Sequence, residues 1–465
     1  MDETATIQID SLCPKGHGLS TLQRPFPLPP LKIETAHTVP GDTVLVELKK
    51  KMRGLKKGRL LEVLKASSDR VIPKCIHANI CGGCSLQQMD YASQLKEKER
   101  RIQLLFPNEK ICSIIAADDI FQYRNKMEFT FSENKKGEKF LGLMIAQGAP
   151  YVFNLQECHL ASPWFSRILC TVRKWWETSS LTAYHPIKNV GTLRYLTLRE
   201  ARRTGQKMFV LNVSGDPEWA IPRFELDRLQ EMISYEPMSI FLRIHQTQKG
   251  SPTRFFEMHL KGSDHITEIL HLKEASLSFK ISPSSFFQPN TLQAEKLYNT
   301  AIQTLRDEKI DTLYDLYCGT GTLSMAASFI ARQVIGIELS PEAIIDAEEN
   351  KKQNNLSNIR FFQGDVGKVL SQLEITDEIN PPDAVIVDPP RAGLDPAAIE
   401  HLKKLKPRLI LYISCNPTTQ AKNLSELLPC GYEIILVQPV DQFPHTYHIE
   451  NIVLLKLKLP SGHDG

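Results

Sequence analysis

No apolar run in this 465-residue sequence approaches the length of a membrane span, which argues against a chain that crosses a bilayer as helices. It has neither a fixed-period repeat nor a low-complexity tract, so a solenoid or a disordered scaffold is not expected. The start, Met1-Asp-Glu-Thr, lacks the basic and apolar regions of a secretory signal, and a cytoplasmic location is expected. There is no Walker lysine, and Gly319-Thr-Gly321 has no third glycine at dinucleotide spacing, so pyrophosphate binding is disfavoured. The ten cysteines do not read as a disulfide framework in a large chain of a reducing compartment. Those that cluster are better candidates for metal binding or catalysis.

What is present is the composition of a soluble globular protein, 42% hydrophobic and 23% charged, at a length that calls for two to four domains. The net charge of +3 says little, but its distribution does. From Lys49 to Lys74 ten Lys or Arg residues face only Glu62 and Asp69, which favours a polyanionic partner. Residues 1–68 read as short strands and turns: Thr43-Val-Leu-Val-Glu-Leu alternates after the Pro40-Gly-Asp turn, and Leu60-Leu-Glu-Val-Leu resumes the pattern. This suits a small OB-like β-barrel. Residues 69–280 begin with a cysteine-rich segment. A helix over 91–105 follows, with Leu95, Ile102 and Leu105 apolar among charges. Strand-like pieces then follow at Met127–Phe131, Tyr195–Leu198, Met208–Val213 and Ile240–Ile244, a mostly antiparallel α+β domain. Residues 281–465 alternate strand and helix, the pattern of a Rossmann-like parallel α/β domain.

Two strands of that last domain end in chemistry. Leu409-Ile-Leu-Tyr-Ile-Ser-Cys415 is broken by Asn416-Pro417, and Ala384-Val-Ile-Val-Asp388 by two prolines and Arg391. In open α/β sheets ligands bind at the carboxyl edge, so a thiol and an acid meet in one crevice. A lone cysteine is more often a buried core thiol; the neighbouring motifs reverse that preference here. Asp315-Leu-Tyr317-Cys-Gly319-Thr-Gly321-Thr322 runs from strand through a glycine loop into a helix. Glu338 and Asp365 close the next two strands. Acids at successive strand ends suit ribose hydroxyls and an adenine amine, and S-adenosylmethionine matches them better than NAD or ATP. Cys75-x5-Cys81-Gly-Gly-Cys84 supplies three thiols and Cys158 a fourth. Four thiolates suit zinc or a cubane iron–sulfur cluster equally in principle. Three local cysteines and one remote are closer to a cluster than to the two close pairs of structural zinc.

Asp-Leu-Tyr-Cys-Gly-Thr-Gly, Val-Asp-Pro-Pro-Arg-Ala-Gly, Tyr-Ile-Ser-Cys-Asn-Pro and Phe-Pro-His-Thr-Tyr-His-Ile-Glu stand in the order found in the RNA uracil-5-methyltransferase family, and Ser284-Ser-Phe-Phe-Gln288 also resembles it. The resemblance covers essentially the whole chain and implies an α/β class I methyltransferase domain, a TRAM-type RNA-binding barrel at the amino terminus, and S-adenosylmethionine as methyl donor. Carried over by position, Gln288, Tyr317, Thr322, Glu338, Asp365 and Asp388 are the expected cofactor contacts, Thr322 standing where asparagine is frequent. Cys415 is the expected nucleophile and Glu450 the expected base. The family's iron–sulfur subgroup shares the cysteine spacing, so the resemblance implies a 4Fe–4S cluster on Cys75, Cys81, Cys84 and Cys158. The expected substrate is a uridine of structured RNA, 23S ribosomal RNA first and transfer RNA as the alternative, bound by a monomeric enzyme. A non-catalytic RNA-binding iron–sulfur protein is the reading from another class. Phe129 or Phe131 is expected to stack on the extruded base.

Overall fold

The computed structural model describes residues 3–23, 30–52, 55–146, 151–246, 254–376 and 380–458. After residue 309, runs rich in valine, isoleucine and leucine form seven strands. They are β1 (Ile310–Leu316), β2 (Ala331–Glu338), β3 (Ile359–Gln363), β4 (Ala384–Val387), β5 (Leu409–Ser414), β6 (Tyr432–Val440) and β7 (Glu450–Leu457). β4 and β5 are buried at every residue, as strands are when helices cover both faces of a sheet. The order is β3-β2-β1-β4-β5-β7-β6. β1 to β5 run parallel and β7 is antiparallel to both its neighbours. The order reverses between β1 and β4, where a crevice opens beyond the carboxyl ends of the strands. Because β7 runs the other way, its first residue lies at that same edge.

Alternate strand residues divide between two apolar layers, as the two-residue period of a strand requires. Leu313, Val334, Ile386 and Leu411 pack with Leu297 and Ala301 of the helix Thr291–Gln303. Tyr314, Ile335, Val385 and Ile410 pack with Leu402 and Leu424 on the other face. The helices Pro341–Gln353, Pro396–Leu405 and Pro417–Leu427 each start on proline, whose fixed φ and missing N–H suit a first turn. Ser340 and Asp395 cap two of them.

Residues 91–105 form the helix the spacing predicts. It packs on this domain: Ile102 enters the core, and Lys98, fully buried, pairs with the equally buried Asp441 at 2.5 Å. The central region is a six-stranded sheet, Arg254–Lys261, Ser239–Gln246, Lys207–Ser214, Leu193–Glu200, Lys126–Glu133 and Lys139–Gly142 in spatial order. All its pairs are antiparallel except Lys207–Ser214 with Ser239–Gln246. Helix Pro163–Glu177 covers one face with Trp164, Phe165, Trp175 and Trp176. Phe129 and Phe131, expected to stack on a base, are 0% and 2% exposed in that core. They alternate inward from their strand and have no face to offer a ligand. The hairpin Ile266–His271/Ser276–Ile281 precedes the expected boundary at residue 281. Its Leu270, Leu277 and Phe279 nevertheless belong to the carboxyl-terminal core.

The amino-terminal strands form one six-stranded sheet around Ile7, Ile9, Leu31, Ile33, Val44 and Val46. Of its basic run, Arg53 and the side chains of Lys50 and Lys51 lie outside the described residues. Lys49 and Arg59 both contact Glu47, and Lys56 contacts Glu3. Among the described residues no helix is long and apolar enough to cross a membrane.

Candidate active site

The register of the sheet assembles the crevice. Leu316 lies beside Ile337 and Val387, Val387 beside Tyr412, and Ser414 opposite Asn451. One residue further, Tyr317, Glu338, Asp388 and Cys415 stand along a single edge. Glu450 precedes Asn451 in β7 and Cys415 follows Ser414 in β5, so both stand at the end of that ladder. The charge of Glu450 acts directly on the Cys415 thiol, so the two groups are close. The turn holding Cys415 is tied down: Asn416 N donates to Ser414 Oγ at 3.1 Å and Asn416 Nδ2 to the Arg391 carbonyl at 3.0 Å. On the partner strand, Gln420 Nε2 donates to the Asn451 carbonyl at 3.1 Å.

The crevice is an acidic pocket short of cations. Burial, then Glu450 and Asp388, push the Cys415 thiol up to about 12, and Arg391 pulls it down. Burial and Asp388 hold Glu450 well above the usual carboxylate range, again opposed by Arg391. Its Oε2 is buried without a hydrogen-bond partner among the described residues. Burial alone raises Asp388 to about 7, and burial raises Asp315 to about 7 against a hydrogen bond from Ser324. Several ionisable groups that resist a negative charge form a site that favours a positively charged ligand.

The expected cofactor residues line this edge. Glu338 accepts from Gly319 N at 3.0 Å and from Ser340 N at 2.9 Å, one bond per oxygen, and each oxygen keeps a lone pair for a hydroxyl. Tyr317 takes a left-handed φ of 67° and its hydroxyl donates to Asp395 at 3.0 Å; such a backbone in an aromatic residue costs energy and is concentrated at functional clefts. The two loop glycines do different work. A Cβ on Gly319 would meet nothing within 4 Å, so that backbone faces open space. A Cβ on Gly321 would lie 2.7 Å from the Phe361 ring, so Gly321 serves packing. Thr322 opens the helix and is 8% exposed. Asp365 accepts from Lys368 N at 3.1 Å at the head of the next helix. Gln288 accepts from Gln442 Nε2 at 3.5 Å on the far wall.

Three groups at the crevice carried no role in the sequence reading. Asp315 is fully buried with Oδ1 unpartnered; the signal was an acid inside an otherwise apolar strand. Arg391, in the Asp-Pro-Pro-Arg stretch, donates from Nη2 to His448 Nδ1 at 2.8 Å. Burial lowers His448 to about 4, which leaves the ring neutral and able to accept. Phe286, two residues before Gln288, is 67% exposed. His445 stacks on Phe121 at 4.4 Å and its Nδ1 meets Gln94 Nε2 at 3.2 Å.

Cys75, Cys81, Cys84 and Cys158 line one cavity of ≈ 230 Å³, with Gln87 and Arg124. Their charges interact: burial first and the neighbouring thiols next raise Cys81 to about 11 and Cys84 further. His77 N and Gly83 N donate to the sulfurs of Cys75 and Cys81 at 3.4 and 3.3 Å. The sulfurs are not among the donor sets gathered within 4.8 Å, whereas the corners of a zinc tetrahedron with 2.3 Å bonds are about 3.8 Å apart. The cavity is joined to the active-site loop, since Leu86 N donates to the His445 carbonyl at 3.0 Å and Tyr123 Oη to the Pro444 carbonyl at 3.0 Å.

The strand order and the edge that carries the candidate residues define a class I methyltransferase. A structure of the Pyrococcus abyssi tRNA (uracil-54, C5)-methyltransferase in complex with S-adenosyl-L-homocysteine superimposes with a TM-score of 0.74 at 24% identity, covering 97% of this chain and 100% of that one. The family model for tRNA (uracil-5-)-methyltransferases matches residues 253–458. An RNA methyltransferase of Protochlamydia amoebophila is 46% identical over 91% of this chain and 100% of its own length. Another from Clostridium acetobutylicum is 37% identical over 92% and 93%. The chain belongs to the RNA uracil-5-methyltransferase family and is an RNA methyltransferase.

Proposed function

We propose that the enzyme methylates C5 of a uridine in 23S ribosomal RNA by covalent catalysis. The observation that supports the reading is that Cys415 feels the charges of both Glu450 and Asp388, one residue beyond the Ser414–Asn451 pair that ends the β5–β7 ladder. S-adenosylmethionine, when bound, supplies an electrophilic methyl group and a positive charge to the acidic crevice. Tyr317, Glu338, Asp365 and Gln288 hold it, with Thr322 at the helix head and Asp388 toward the substrate. The acids and the open backbone face of Gly319 fit that cation.

Uracil C5 is a weak nucleophile. Addition of the Cys415 thiolate to C6 gives C5 enolate character, and Arg391 favours the thiolate. After methyl transfer C5 still carries its proton. Glu450 removes it, the C5–C6 double bond re-forms and the thiolate leaves. The raised pKa of Glu450 makes its ionised form a stronger base for that proton. The target base has to leave its stack to reach Cys415, and the exposed Phe286 ring takes over the stacking that Phe129 and Phe131 cannot provide.

The four-cysteine cavity holds a 4Fe–4S cluster, supported by four thiols around one cavity and by N–H···S contacts to two of them. Its role is structural, bracing the Phe443–Glu450 loop through Leu86 and Tyr123. The cavity and the basic amino-terminal sheet favour ribosomal over transfer RNA. Mapping 5-methyluridine in both RNAs, with and without the gene, tests this. Loss of one 23S position supports the proposal, and loss confined to transfer RNA assigns the enzyme to the alternative.

A further inference from the structure

A second group of metal-type donors lies apart from the crevice and the cysteine cavity. Cys13 Sγ, a His17 ring nitrogen and a Glu34 carboxylate oxygen all fall within 4.8 Å of one another. Cys13 and Glu34 are buried, at 7% and 5% exposure, and His17 is half-buried. The fold holds these donors in place. Cys13 N donates to the His17 carbonyl and Gly16 N to the Cys13 carbonyl, both at 2.8 Å, so one closed turn presents the thiol and the imidazole. Glu34 comes from the adjacent strand Leu31–Thr35, where it pairs with Leu19.

A histidine–carboxylate contact alone, here 2.6 Å, is an ordinary hydrogen bond. It does not account for the thiol beside it, whose recorded contact is a weak one from Lys15 N at 3.4 Å. A thiolate, an imidazole and a carboxylate are a donor set that suits zinc, which takes three protein ligands where a fourth position stays open. We propose that Cys13, His17 and Glu34 bind a zinc-type divalent cation, with the fourth position left open. The turn leans on the rest of the enzyme: a Cβ on Gly16, at φ +77°, would lie 2.5 Å from Ser85 Oγ and 2.9 Å from Tyr447 Cβ. The turn that carries two of the ligands thus lies against the residue after Cys84 and against Tyr447 in the loop that leads into Glu450.

The test uses the full chain and metal content. Wild type and Cys84→Ser, grown with zinc, should each hold about one zinc per chain. Cys13→Ser and His17→Ala should hold about tenfold less. Protein grown with cobalt should show, in the difference spectrum between wild type and Cys13→Ser, the charge-transfer absorption of one thiolate on Co²⁺, and Glu34→Gln should weaken it. If the variants do not fold, wild type decides: zinc in a cobalt-exchangeable site whose charge-transfer intensity is that of one thiolate, not of several, supports the proposal. Wild type without zinc and without that absorption overturns it, as does zinc lost from Cys84→Ser but retained in Cys13→Ser.

Discussion

Replacing Arg391 with methionine removes a cation whose charge lowers the pKa of both Cys415 and Glu450. An opposite charge close by shifts a pKa by about 1–3 units, and the solvent exposure of Arg391 puts the effect near the low end, about one unit. The sign follows directly. Without the cation the thiol pKa rises from an already high value, so at any pH below it the thiolate fraction falls about tenfold. The remaining thiolate is more nucleophilic, with a Brønsted coefficient of about 0.4–0.5, so the net rate falls about three- to fourfold. The assay is reaction of RNA-free protein with a small neutral disulfide, with the Cys415 peptide read by mass spectrometry at about pH 7 to 9. Both proteins should react faster as pH rises, the methionine variant offset downward by that factor, and Arg391→Lys should recover most of the difference. Equal or faster reaction of Cys415 in the methionine variant would refute Arg391 as the group that favours the thiolate.

Further outcomes follow from the same geometry. Glu450→Gln should form a protein–RNA species that persists on a denaturing gel, because methyl transfer is complete but the C5 proton lacks its base; full turnover with no such band would reject the role. Lys98→Met leaves the Asp441 carboxylate buried with its cation gone and should destabilise by about 3–5 kcal/mol, read as a lowered melting temperature, much of it recovered in Lys98→Met/Asp441→Leu. Anaerobically purified protein should be brown, with about four irons per chain. Serine at Cys75, Cys81, Cys84 or Cys158 should lower iron content, and stoichiometric zinc in that cavity instead would overturn the cluster.

The parallel sheet was legible because its strands are short, largely apolar and punctuated. Pro389, Pro390 and Pro417 mark where β4 and β5 stop, and the edge they define is where Asp388 and Cys415 stand. The sequence does not by itself show that Glu450 comes close to Cys415. That depends on β7 inserting antiparallel between β5 and β6, a long-range register that local pattern does not encode, and the family resemblance supplied it. Phe129 and Phe131 were misjudged for a related reason. Alternation marks one face of a strand as apolar without saying whether that face meets a helix or a ligand, and here helix Pro163–Glu177 covers it. The roles of Arg391 and Asp315 were hidden because charge coupling and desolvation depend on neighbours far apart in sequence. Cys13, His17 and Glu34 are a stronger case, since the third donor joins the first two only through the pairing of Gly18–Leu22 with Leu31–Thr35.

Covalent catalysis by Cys415 is tested most directly with RNA in which the target uridine is replaced by 5-fluorouridine. Fluorine at C5 cannot be removed as a proton, so the adduct between Cys415 and C6 has no route to elimination. Incubated with S-adenosylmethionine, wild-type protein should form a species stable to denaturation that carries both RNA and the transferred methyl group, with the crosslink on the Cys415 peptide and no such species from Cys415→Ala. Methyl transfer at the wild-type rate by Cys415→Ala, or a crosslink on another residue, would contradict it.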